Sequence, residues 1–202
     1  MNRLFDVFHN TQSGEFVTVV SGLPRSGTSM MMKMLEAGGL KPITDHIREA
    51  DADNPKGYYE FERVKKLPDG DVAWVKEAQG KSVKVITALM EHLPSDYHYK
   101  VIFMRRNMDE ILASQKKMLI RSGKPTDRVS DEKLAEMYGK HLAKVETWIR
   151  EHPNVEVLYV DYNDLLANPE PYPGRINQFL EGRLDVGKMA DVVDPRLYRQ
   201  RR

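Results

Sequence analysis

The 202-residue chain contains no cysteine. That excludes disulfides, thiolate metal ligands and a cysteine nucleophile, and it fits a reducing, cytoplasmic compartment. An excess of charge of either sign is also missing. Lys and Arg number 31 against 30 Asp and Glu, a formal charge of +1. No global field draws such a chain to nucleic acid or to an acidic membrane, so any anion site must be local. No apolar run approaches a membrane span, and the opening MNRLFDVFHNTQSGEF has no apolar core of signal-peptide length. The six histidines show no H-x-x-x-H or H-E-x-x-H spacing, so neither a structural zinc nor another metal is expected.

What is present has the balance of a globular protein: 41% apolar and 30% charged residues, in a length that fits one domain over 1–202. Short apolar runs alternate with helical patterns. EFVTVVSG (15–22), KSVKVI (81–86), YKVIFM (99–104) and VEVLYV (155–160) read as strands. TSMMMKMLEAG (28–38), 108–119, 131–152 and PGRINQFLEG (173–182) read as helices, with the methionines of 30–34 as core. Strands separated by helices imply an α/β fold, a parallel sheet covered on both faces. Residues 39–80 are rich in Pro, Gly, Asp and Lys with weak periodicity, which fits a long functional loop region better than a linker.

Between the first strand and its helix lies GLPRSGTS. Gly22 and Gly27 are spaced as in the phosphate loop G-x-x-x-x-G-K-[ST], but Thr28 occupies the lysine slot. Glycines let backbone N–H groups turn inward, and a helix N-terminus favours an anion. Ser26, Thr28 and Ser29 add hydroxyls. Phosphoryl transfer leans on the loop lysine and Mg²⁺ to offset heavy negative charge. A sulfuryl group carries one charge less and can be moved with hydrogen bonds and one or two cations. Arg25 stands inside the loop, and a forked guanidinium suits a phosphosulfate.

GLPRSGTS resembles the 5′-phosphosulfate loop of sulfotransferases, which use 3′-phosphoadenosine-5′-phosphosulfate (PAPS) and have a P-loop-like nucleotide-binding topology, a three-layer parallel sheet. The family's second motif is an arginine at a strand end with a serine eight residues on. VIFMRRNMDEILASQ supplies Arg106 and Ser114, which the resemblance assigns to the 3′-phosphate; Arg105 is expected to point to the other side of the strand. VEVLYVDYNDLLANPEPYPGRINQFLEG resembles the family's late strand and its Y-E-D-L corner, with Tyr162 where an aromatic meets the adenine. Lys84 ends the second strand, where family members carry a lysine near the transferring sulfuryl group. The resemblance runs from about Val17 to about Gly182.

Two departures matter. Ile86 stands where cytosolic members carry a catalytic histidine, and the late R-K-G triplet is absent. Another base is then required. Asp45, His46, Glu49 and Glu60 are the candidates. Glu60 is preferred, because NPKGYYEFERV places it after a Pro–Gly turn at the start of a short helix. The catalytic set is therefore Glu60, Lys84 and Arg25. The nucleotide set is Arg25, Ser26, Gly27, Thr28, Ser29, Arg106, Ser114 and Tyr162. The acceptor is a small molecule or glycan presenting a hydroxyl or amine, taken on the 39–80 side. The rival readings are a P-loop small-molecule kinase, with Asp161 holding magnesium, and a non-catalytic nucleotide-binding module. The basic tail DPRLYRQRR is expected to be solvated.

Overall fold

A computed structural model describes residues 16–45, 59–126 and 128–193. His46, Glu49, the Pro–Gly turn at 55–57 and the basic tail from Asp194 lie outside the described residues.

Four strands form one parallel sheet: β1 (Val17–Gly22), β2 (Ser82–Lys84), β3 (Tyr99–Arg105) and β4 (Val155–Asp161), in the order β2-β1-β3-β4. Val19 lies opposite Val83 on one side and Val101 on the other, and Val101 opposite Val157. All six residues of β1 are buried, as a central strand covered on both faces requires.

The side chains of β1 and β3 alternate between two cores. Val20, Ile102 and Met104 face Met31, Met32, Met34 and Leu35 of helix α1 (Thr28–Ala37). The same core takes in Leu165 of α4 (Tyr162–Ala167), Ile176 of α5 (Pro171–Phe179) and Met189 of α6 (Val186–Ala190). Val17, Val19, Val101 and Phe103 face the other way, onto Trp74, Val75, Met90 and Val145 of α3 (Asp131–Glu151). The result is three layers. Met31, Met32 and Met34 are 0% exposed, and each such side chain contributes roughly 1.5–3 kcal/mol by burial.

Helix α2 (Met108–Arg121) leaves the carboxyl end of β3 through Asn107, whose side chain accepts from the backbone N–H groups of Asp109 and Glu110. Arg105 does point to the far side: its guanidinium lies 3.7 Å from the ring centroid of Tyr159 and pairs with Glu146 of α3.

The described residues of the 39–80 region are less irregular than their composition implies. They include the 3₁₀ helices Glu62–Asp69 and Ala73–Ala78, and another, Thr87–His92, follows β2. Val64, Leu67, Trp74 and Val75 bury their side chains in the second core. Pro42 bridges in parallel to Ser82, so this segment also extends the sheet edge beyond β2.

Candidate active site

The carboxyl edge of the sheet carries the loop 22–27. Three of its positions take positive φ: Gly22 at 151°, Arg25 at 69° and Gly27 at 99°. Left-handed turns in close succession bring N–H groups round to one concave side. Gly27 is the N-cap of α1, and no side chain caps that end. The first N–H groups of a helix have no intrahelical acceptor, so this end presents donors together with a positive dipole. At Gly27 a Cβ would collide with the Tyr162 ring, and at Gly22 it would stand 2.7 Å from the Met104 carbonyl. The glycines are therefore needed for close approach as well as for backbone angle.

Of the loop hydroxyls, Ser26 is turned inward. It is 0% exposed, and its Oγ, which has no hydrogen-bond partner, packs against Gly22 where a Cβ would collide with it. Thr28 and Ser29 begin the helix and are partly exposed. Lys84, at the end of β2, reaches Ser29 Oγ with its Nζ at 3.5 Å. Ile86, two residues on, is 46% exposed beyond the sheet edge.

The loop is tied to α2 by its arginine. Arg25 Nε donates to Ser114 Oγ at 3.0 Å, and Arg106 donates to the Arg25 carbonyl at 2.9 Å. Both members of the Arg–Ser pair therefore touch the same loop residue. The Arg106 side chain is 8% exposed and pairs with Glu110 at 2.9 Å. Its guanidinium carbon stands 4.4 Å from the Tyr162 ring centroid. Tyr162 is itself buried, between Gly27 and that guanidinium.

Glu60 precedes the first 3₁₀ helix, which starts at Glu62 with Phe61 as N-cap. Its carbonyl accepts from Thr44 Oγ1 at 2.9 Å and from the Asp45 N–H at 3.3 Å. Asp45 Oδ2 in turn accepts from the Glu62 N–H at 2.6 Å. Pro42 bridges Ser82, so the segment that carries Thr44 and Asp45 runs beside β2, and Glu60 is tied to that segment.

Loop, Lys84 and the Arg–Ser pair thus converge on one edge, and a sulfotransferase domain model matches residues 17–200. The chain belongs to the sulfotransferase family. Among solved structures it is similar to the sulfotransferase domain from the curacin biosynthetic pathway (TM-score 0.51, 15% identity, 89% of this chain and 78% of that one). The sulfotransferase domain from the olefin synthase of Synechococcus PCC 7002 aligns with TM-score 0.49 and 16% identity over 92% of this chain and 82% of that one. No curated protein matches the chain in sequence. Among the described residues of this sulfotransferase, no helix is long and apolar enough to cross a membrane.

Two further residues beside Arg106 were not singled out from the sequence. Glu110 is 5% exposed, and its second carboxylate oxygen accepts from Asn163 Nδ2 at 2.9 Å. Asn163 Oδ1 accepts from the Asn107 N–H at 3.3 Å. An acid in the first turn of a helix reads as a dipole partner, and an Asn after a strand reads as a cap or turn residue. Their meeting across 53 positions left no local signal.

Proposed function

We propose that this protein is a cytoplasmic enzyme that transfers the sulfuryl group of PAPS to a hydroxyl or amine of a small-molecule or glycan acceptor, without a metal. The observation that carries the reading is the loop itself. Two left-handed residues lead into an uncapped helix N-terminus, with Arg25 inside the turn and Lys84 against Ser29 in place of a loop lysine. The residues fit a phosphosulfate. The orphaned Ser26 Oγ and the two positions where a Cβ would collide describe a loop wound tightly enough to bring its backbone donors onto an oxyanion.

In this reading the loop N–H groups, Thr28 and Ser29 bind the 5′-phosphosulfate. Arg25 and Lys84 offset charge as the bridging S–O bond breaks. Arg106 and Ser114 hold the 3′-phosphate. Tyr162 supports the adenine end of the site and the floor of the loop. Glu60 takes the acceptor's proton as its oxygen or nitrogen bonds to sulfur, and adenosine 3′,5′-bisphosphate leaves. The 39–80 region supplies the acceptor side, a reading supported by the tie of Glu60 to the segment beside β2. Asp45 is the weaker base, because its carboxylate already holds the Glu62 N–H. The test is transfer from PAPS to a panel of phenols, sugars, alkyl alcohols and amines, read by mass spectrometry. A mass gain of one sulfuryl group on one acceptor class is the expected result; none on any class reduces the protein to a nucleotide binder.

A further inference from the structure

We infer that Glu110 and Asn163 form a positioning relay that aims Arg106, and that this relay sets the preference for a nucleotide bearing a 3′-phosphate. The inference rests on the assignment of Arg106 to that phosphate made above.

The relay runs from α4 to the loop. The Asn107 backbone N–H donates to Asn163 Oδ1, which fixes the orientation of the amide. The Asn163 NH₂ group donates to one oxygen of Glu110, and the other oxygen accepts from Arg106 Nε. Arg106 donates in turn from a terminal nitrogen to the Arg25 carbonyl, in a loop residue with left-handed backbone. The face of Tyr162 closes the socket from the side. A guanidinium is a planar fork, so two fixed N–H groups and one stacked face determine where the remaining N–H groups point.

The relay has a direction. Each donor meets an acceptor only because position 163 carries an amide. A carboxylate there would face the buried carboxylate of Glu110, with like charges at hydrogen-bond distance. Asn163 is thus the residue that suits Glu110 in this chain.

Reversing the relay tests it. Asn163→Asp sets two carboxylates against each other and should turn Glu110 away from Arg106. Adding Glu110→Gln restores a complete chain: the amide introduced on α2 accepts from Arg106 through its oxygen and donates through its nitrogen to the carboxylate introduced on α4. Calorimetry with adenosine 3′,5′-bisphosphate and with AMP gives an affinity ratio for each folded variant. In Asn163→Asp that ratio should fall about tenfold, and in the double variant it should return to within about threefold of the native value. A general loss of packing would weaken both ligands together and would not be repaired by a second substitution. If Asn163→Asp does not fold, Asn163→Ala, which removes the donor without adding charge, should lower the ratio by a smaller factor. An unchanged ratio in the folded single variant, or no recovery in the double, overturns the relay. A native protein with no preference for the bisphosphate overturns the 3′-phosphate assignment itself, and the relay's purpose with it.

Discussion

Glu60 and Asp45 lie side by side, and their hydrogen bonds give them different work. The Asp45 carboxylate holds the first N–H of a 3₁₀ helix, whereas at Glu60 the carbonyl is tied down by Thr44 and Asp45 and the carboxylate lies 3.9 Å from Lys65 Nζ, a looser contact than a hydrogen bond. Glu60→Gln should lower sulfuryl transfer by about 10²–10⁴-fold, the usual share of a general base, and leave bisphosphate affinity within about threefold. Asp45→Ala should act on stability, costing about 0.5–2 kcal/mol as a lost cap does, with a smaller loss in rate per folded molecule. Initial rates beside calorimetric affinities and melting temperatures separate the two. Near-native turnover in Glu60→Gln would remove it from the mechanism. Gly27→Ala combines a strained φ with a collision against the Tyr162 ring. It should abolish measurable bisphosphate binding while the chain still melts cooperatively. At this scale the loop was legible in the sequence, because G-x-x-x-x-G codes a backbone path directly. The inward turn of Ser26 was not, since it depends on how closely Gly22 packs to β3.

Strand and helix positions followed from periodicity wherever an element buried a regular face. β1, β3, β4 and α1–α3 lie within about two residues of the sequence reading. The short helix expected to start at Glu60 starts at Glu62 instead, and its extent to Asp69 was hidden because its period is three and it contains Pro68, a residue that argues against an α-helix. α4 escaped because it starts at Tyr162, directly after β4, and runs only six residues. At the level of packed elements, α3 meets the 3₁₀ helix after β2 through His141, whose ring lies 2.8 Å from Thr87 Oγ1. Burial holds this histidine below its ordinary pKa; Glu91 opposes the shift and Lys144 adds to it. A depressed histidine binds its proton more readily in the unfolded chain. Stability from this contact is therefore present above the unfolded value and lost as pH falls below about 6.5. Denaturant midpoints should drop between pH 7.5 and 5.5, and His141→Gln, which keeps a partner for Thr87, should flatten that dependence. An identical slope in the variant would assign the pH effect to other groups.

For the molecule as a whole, near-neutral charge means that the proposed nucleotide binding draws on one local site. Saturation with adenosine 3′,5′-bisphosphate at about 100 times its Kd should add about 2.7 kcal/mol. For a chain of this length that raises Tm by about 5–10 °C. AMP at equal concentration should raise it less. Transfer should also survive excess EDTA, because a singly charged sulfuryl group needs no divalent counter-ion; loss in chelator with recovery in Mg²⁺ would favour the kinase reading. The order β2-β1-β3-β4 has one more consequence, for the route by which the chain folds. β1 comes first in sequence, yet Val17 pairs with Tyr99, and Tyr99 with Val155. The strand that leads into the loop can find both its partners only after long stretches of chain have closed, which is entropically slow. During synthesis the candidate site therefore stays unformed until β3 has emerged from the ribosome, and α4, which supplies Tyr162 and Asn163, completes it later still.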